Sequence, residues 1–481
     1  MPAARARPRI LPVLALLLAA AGCHHRPAVV HIALGTPILN LEPCSDDHET
    51  NLVLGNVYEP LVEYDKDFGL RPVLAVSWET PGPNAWVFRL RKGVRFHDGA
   101  PLTAGDVVQS LLRARDHPDS LLRSYFTPLE SVTAPDDWTI AIATRSPIGD
   151  LPHYLTAAGI TRAGREPDGI GTGPYRLVSR SEESVALSAF NGYWGGRPRV
   201  KELRFFLVRP DDPVDRIVLD RPLLILRDAV RFAELTRRGF TVVKRPGMSI
   251  AYLGFNLAAP PFDDLRIRRA VARAVHVDRI VKVRLLGNAR PACQVTPVAA
   301  FGHHPDLPCG CDPDAARAEL AAAGRPLPLK VTLLTAPKGE RTVRMVAQDL
   351  DAVGFQVEVE VRPWPEIVER MLRKEIPFYF AGYMSSFGNA LPTLETLAAS
   401  WGSSNTFNYR SPEVDDLLRR AAGVADDAAR LPLLHEAAAI VSEDVPMVPL
   451  YNAFETYAFT PRLAWEPRAD GRILGKELRL K

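Results

Sequence analysis

The sequence lacks most of the features that would assign it a catalytic or nucleic-acid-binding role. It has no G-x-S-x-G nucleophile elbow and no H-E-x-x-H zinc motif. Its eleven histidines are scattered, and only His24-His25 and His303-His304 stand together. Cysteine is scarce, at five in 481 residues, which excludes a small disulfide-built scaffold. Charge of one sign is also missing. The net charge of +3 comes from Arg5, Arg7 and Arg9; beyond residue 22, 56 basic side chains face 56 acidic ones. That balance offers no electrostatic footprint for nucleic acid or an anionic membrane. Low-complexity tracts and internal repeats are absent, and the 43 prolines are dispersed rather than clustered. No apolar run is long enough to span a bilayer, which takes about 20 residues.

What is present begins at the amino terminus. "ARARPRI" is a basic n-region and "LPVLALLLAAA" a short apolar h-region. "AAGC" follows and resembles a bacterial lipobox, which implies cleavage after residue 22 and lipid on Cys23. His24-His25 then belong to a solvated tether. The rest of the chain is expected outside the cytoplasm, membrane-attached through the lipid alone. In that oxidising setting the even set Cys44, Cys293, Cys309 and Cys311 suggests disulfides. Cys309-Gly-Cys311 is too tight for easy mutual bridging, so Cys293 is expected to pair with Cys309 or Cys311. A metal site using His303 and His304 with these cysteines is the rival, but the spacing fits no common zinc pattern. No metal or cofactor is implied.

Hydrophobic content of 47% supports a sizeable core, and the length suggests two or three domains. Alternation predicts strands at 29–35, 84–96, 138–144, 171–179, 184–190 and 200–208. "FHDGAPLTAGDVVQSLLRA" (96–114) reads as a strand end, a tight turn at His97-Asp98-Gly99, and a helix capped by Thr103 with Asp106 as its reciprocal partner. Adjacent turn residues rarely converge on one substrate atom, so His97-Asp98 is read as structural. Beyond 250, "LKVTLLT", "RTVRMVAQDLDAVGF" and "QVEVEVRPW" form a strand–helix–strand series, the signature of an α/β lobe. A helix near 428–443 precedes a last long strand.

Stretches from end to end carry a family pattern: "NVYEPLVEYD", "LAVSWE", "WVFRLRKGVRFHDGAPLTAGDVV", "GTGPYRL", "NGYWGG", "LGFNLAAPPFDDLRIRRAVARAV", "CDPDAARAELAAAG" and "NYRSPEVDDLLRRA". On these residues the chain resembles the family 5 extracellular solute-binding proteins, the group of periplasmic oligopeptide and dipeptide binders. The resemblance implies an α/β periplasmic-binding-protein fold of two lobes, with an extra α/β subdomain on the first, and a solute enclosed between them. It places a leader at 1–22, a tether and first strand at 23–45, the extra subdomain at 46–160, the remaining first lobe at 161–248, the second lobe at 249–455 and a return to the first at 456–481. The crossings are expected near 250–256 and 448–456.

The function so implied is the extracytoplasmic solute-binding component of an ABC importer, not an enzyme. A monomer would capture a peptide or peptide-like solute and hand it to permease and ATPase subunits. Alternatives are a non-peptide solute such as an oligosaccharide or metal chelate, a sensor lipoprotein, or a secreted hydrolase. Position in the family pattern nominates Asn256, Tyr383, Met384, Ser385, Ser386, Trp401 and Asn405 as ligand contacts. Peptide-binding members hold the ligand's ammonium with an Asp after a Gly-Trp pair. Here Gly382-Tyr383 stands for that pair and Ser386 for the Asp. Free-amine peptides are therefore expected to bind weakly, unless Glu395 or another acid takes the role.

Overall fold

A computed structural model describes residues 29–481, apart from 39, 41, 46, 166–167, 210, 228–230 and 386. The leader, Cys23 and Ser386 lie outside the described residues.

The strand Val29–Leu34 lies parallel to Glu202–Leu207 on one side and Leu224–Arg227 on the other. Its Val30 and Ile32 are wholly buried, as expected of a strand in the middle of a covered sheet. It belongs to a mixed sheet running Phe355–Val361, Leu329–Thr335, Phe378–Met384, Thr241–Phe255, Met447–Phe459, Leu224–Arg227, Val29–Leu34, Glu202–Leu207, Ser184–Ala189 and Tyr175–Arg180. The first three of these and the last five form two halves, each with its own apolar cores. In the second lobe, Leu329–Thr335 and Phe355–Val361 are parallel and joined through the helix Glu340–Asp351, the crossover that such pairing requires.

Two long antiparallel strands, Thr241–Phe255 and Met447–Phe459, run through both halves. Their lower parts pair from Thr241–Phe459 to Pro246–Phe454, and their upper parts from Ile250–Asn452 to Gly254–Met447. Between Pro246 and Ile250 the register shifts. The Asn452 amide donates to the carbonyls of Gly247 (2.8 Å) and Ser249 (2.9 Å) there. It thus satisfies backbone groups that the bulge removes from the ladder. From Ile250 to Phe255 the first strand is already fully paired with Phe378–Met384.

The extra subdomain is a four-stranded antiparallel sheet ordered Ala75–Gly82, Ala85–Leu90, Thr139–Thr144, Leu129–Asp136. The helix Ala104–Asp116 packs on it, burying Val107, Leu111 and Ala114. The capping box forms as the sequence predicts: the Thr103 amide donates to Asp106 Oδ2 at 2.7 Å. His97 is scaffold, since its Nε2 lies 2.9 Å from the carbonyl of Gly173. Asp98 pairs with Arg162 and Arg165. His97 fastens the hairpin to the loop 169–173, and Asp98 fastens it to Arg162 and Arg165.

Cys293 and Cys309 form a disulfide with Cα atoms 5.2 Å apart. That bond takes Cys309 out of the rival metal set. The expectation for the other two cysteines is corrected, because Cys44 and Cys311 carry free thiols. Cys44 is buried in the subdomain core beside Glu42, and both effects push its thiol far above the usual range. It packs there as a small hydrophobe. Cys311 Sγ instead donates to the Ala274 carbonyl at 3.4 Å.

Candidate functional site

The site lies where the two lobes meet. From the second lobe, the segment after the strand Phe378–Met384 turns sharply through Ser385. The Ser385 amide donates to the Met248 carbonyl (3.0 Å) and its hydroxyl to the Phe387 carbonyl (2.8 Å). Thr393 donates to Ser385 Oγ at 3.0 Å, and Asn389 caps the helix Ala390–Leu397 by accepting from the Leu391 amide. These bonds aim Phe387 out of its own lobe. It is only 1% exposed, buried in an apolar cluster otherwise built from residues 44–160. Tyr125 and Tyr154 hold it edge-on, at centroid distances of 4.7 and 5.1 Å, the arrangement the ring quadrupoles favour.

Three further contacts cross the interface. The Gly388 amide donates to the Tyr64 hydroxyl at 3.3 Å, and that hydroxyl lies 3.0 Å from His153 Nδ1. Burial and the nearby Arg430 charge push the His153 imidazole down to about 3, and one hydrogen bond joins it to the Tyr64 hydroxyl. A side chain at Gly388 would collide with the Phe68 ring, the nearest atom being 2.1 Å from an ideal Cβ. The Gly149 amide donates to the Ala422 carbonyl at 2.6 Å. A Cβ there would lie 2.1 Å from the Val424 carbonyl oxygen. The lobes therefore meet through positions where glycine leaves no side chain in the way.

Ionisable groups are gathered at the same interface. Asp150, from the first lobe, is 1% exposed. Burial pushes it up to about 6, against the opposing pull of Arg430, its own amide and Tyr154. Glu395, from the second lobe, is pushed up to about 8 by burial and by the negative charge of Asp150. Arg430 is the cation here. It is buried, bonded to Asp427, and set over the Phe301 ring at 5.4 Å. Its Nε is buried without a partner.

Several of the residues nominated from sequence are engaged in local bonds. The Asn256 amide donates to the Lys374 carbonyl, and its oxygen accepts from Ala258 and Asn408. The Asn405 amide holds the carbonyls of Ala399 and Tyr409. With Ser385, these are loop staples whose polar groups are turned inward. Trp401 is an exposed ring beneath the Arg419 guanidinium at 4.4 Å. Tyr383 and Met384 lie opposite Ile250 and Ser249 on the first crossing strand; Met384 is exposed and Tyr383 half-buried. Sequence reasoning missed Phe387, Asp150, Arg430 and the three tyrosines, and named Glu395 only as a substitute acid. A cavity of about 710 Å³ behind the disulfide has walls from one lobe only, including Arg273, Cys311, Val441 and Met447. Among the described residues no cluster of His, Cys, Asp or Glu could hold a metal ion, and no helix is long and apolar enough to cross a membrane.

A two-lobed α/β body joined by two crossing strands, with its charged and aromatic groups facing each other between the lobes, defines a solute-binding protein. Residues 69–405 match the family described as bacterial extracellular solute-binding proteins, family 5, and the chain belongs to that family. Members are extracytoplasmic solute-binding components of ABC importers. The chain is 28% identical over 458 residues to the glutathione-binding protein GsiB of Pectobacterium atrosepticum, covering 87% of each. Its fold matches HbpA2 from Haemophilus parasuis with a TM-score of 0.86 at 23% identity, over 94% of this chain and all of that one. DppA from Helicobacter pylori, in complex with the peptide STSA, matches with a TM-score of 0.77 at 23% identity, over 94% and 98%.

Proposed function

We propose that this protein is the lipid-anchored receptor of an ABC importer for small peptides and peptide-like solutes, glutathione among them. The signal segment 1–22 is removed, Cys23 carries the lipid, and the body works as a monomer outside the cytoplasm. The lobes, about 28–248 with the C-terminal tail and 249–455, close on the solute by bending the crossing strands near the register shift at Pro246–Ile250. Such closure both buries a ligand and gives the permease a shape to recognise. The observation that carries this reading is Phe387, a second-lobe ring seated in the first lobe's aromatic cluster. A surface that buries a large ring on lobe contact stabilises the closed form and leaves it exposed when the lobes part.

The likeness to the GsiB proteins supports glutathione as the first candidate to test. Calorimetry on ligand-stripped protein with glutathione, trialanine and maltotriose tests the solute class. Micromolar binding, worth about −8 kcal/mol, is expected for at least one of the two peptides. Binding of the sugar alone would overturn the peptide assignment and leave a solute receptor of another class.

A further inference from the structure

We propose that Cys293, Cys309 and Cys311 form a thiol–disulfide exchange centre, in which Cys293 bonds either of the other two and the choice sets how tightly the last crossing strand is tethered to the helix Pro313–Ala322. The inference goes beyond solute binding and does not depend on which solute enters.

All three cysteines line the same cavity of about 710 Å³. The bond there joins Cys293 to Cys309, with Cα atoms 5.2 Å apart. Cys311, two residues further on, keeps a free thiol in the same wall. Cys309 is exposed and the other two are half-buried, and exposed disulfides are the labile ones. The chain that carries the two alternative partners is yielding. Residues 307–311 form no helix or strand, and among the described residues they make no backbone–backbone hydrogen bond. Gly310 adopts a φ of +145°, and a Cβ built on it would meet nothing within 4 Å. The backbone therefore turns there without striking a neighbour. Exchanging Cys309 for Cys311 moves the bond along by two residues, a shift of at most about 7 Å of extended chain.

The step needs no outside oxidant. The Cys311 thiolate attacks Cys293 Sγ, the Cys293–Cys311 bond forms and the Cys293–Cys309 bond breaks. Cys309 leaves as a thiolate and takes up the proton that Cys311 gave. Burial, with Asp349 and Asp312, holds the Cys311 thiol above its usual range, so exchange is slow near neutrality and quickens as pH rises. The two bonds differ mechanically. Beside Cys293, the Ala292 amide donates to the Leu450 carbonyl at 3.0 Å, and Ala289–Pro291 pairs with the last crossing strand at Ala453, Asn452 and Tyr451. Cys311 Sγ is anchored at the Ala274 carbonyl, 3.4 Å away. Next to it the Asp312 amide donates to the Arg273 carbonyl at 2.7 Å, and the Asp312 carboxylate caps Pro313–Ala322 by accepting from the Ala315 amide. With Cys309 bonded, residues 310–311 leave slack between these two anchorages. With Cys311 bonded the slack is gone, the Ala274 contact is lost, and the cap is drawn toward the crossing strand.

The test is peptide mapping by mass spectrometry on the folded, lipidated protein, quenched in acid, unfolded, and alkylated at its free thiols in mild acid. Wild type kept near neutral pH should carry label on Cys311 and not on Cys309. After incubation at about pH 9, above the ordinary thiol range, about 1–10% of chains should carry it on Cys309, with Cys311 bonded to Cys293. In a glutathione redox buffer that oxidises wild type, Cys309→Ser should form the Cys293–Cys311 bond, and Cys311→Ser should keep Cys293–Cys309. The Asp312 and Ala315 amides should exchange with solvent at least about fivefold faster in Cys309→Ser than in Cys311→Ser, the worth of one hydrogen bond. Cys309 unlabelled in wild type after the alkaline incubation overturns the proposal. So does a Cys309→Ser protein that melts as cooperatively as wild type with Cys293 and Cys311 both free. Bonds to Cys44 in the incubated wild type would also overturn it, because they arise by scrambling through unfolding and not by local exchange. Equal amide exchange in the two variants would refute the tether.

Discussion

Replacing Phe387 by Ala separates lobe closure from folding. In an ordinary core, Phe→Ala costs about 3–5 kcal/mol of unfolding free energy. Phe387 is as buried as a core residue, yet the cluster around it belongs to the other lobe. Its ring covers roughly 150–200 Å² of apolar surface, worth about 4 kcal/mol at about 25 cal/mol per Å². The two edge-on tyrosine contacts add about 0.5–1.5 kcal/mol each. If the lobes part without ligand, none of this is present in the open protein, so the loss falls on closure. Discounting by half for a partly collapsed open state leaves about 2–3 kcal/mol, roughly a hundredfold in ligand affinity. Titration calorimetry with a peptide bound by wild type, and urea unfolding without ligand, measure the two quantities separately. Phe387→Leu should fall between. Unchanged affinity with a several-kcal/mol loss in ligand-free stability would refute the reasoning, because Phe387 would then be part of a permanent interface.

Gly149→Val should act on the same equilibrium, since its Cβ would lie 2.1 Å from the Val424 carbonyl oxygen; affinity should drop at least about tenfold and small-angle scattering should show a more extended particle in the presence of ligand. Thiol labelling of unfolded, unreduced, lipidated protein should find Cys44 and Cys311 reactive and Cys293 and Cys309 protected until reduction. Breaking that bond, which closes a loop of 16 residues, should lower stability by up to about 3 kcal/mol in denaturant unfolding. Cys23→Ser should shift the protein from the membrane fraction to the soluble envelope fraction, and continued membrane attachment would remove the anchor from the account.

Local signals were the legible ones. Thr103 and Asp106 specify a helix start over three residues, and the alternation in "QVEVEVRPW" specifies a strand over seven; neither needs a distant partner. The strand–helix–strand order from Leu329 to Val361 likewise yields its parallel pairing directly. The site was harder because its meaning lies in pairs far apart in sequence. Nothing in "SSFGNALPTLETL" reveals that Phe387 meets Tyr125 and Tyr154. Asn256 and Asn405 read as available polar groups because sequence does not tell which carbonyl a side chain has already taken. Cys44 follows the same logic: a thiol count suggests bridges, but only placement shows that no second sulfur is bonded to it.

The bulge at Pro246–Ile250 has a mechanical consequence. The two crossing strands are bonded to each other below and above it, and Asn452 ties the loose carbonyls between. If the lobes open as proposed, torsion of this two-stranded ribbon at Gly247, Met248 and Ser249 would leave the rungs between the two crossing strands paired. A joint of this kind would keep a fixed axis, so that the two lobes would return to the same register after each proposed cycle. Amide exchange on either side of the bulge should stay slow through repeated loading and release, while the three residues within it report the motion.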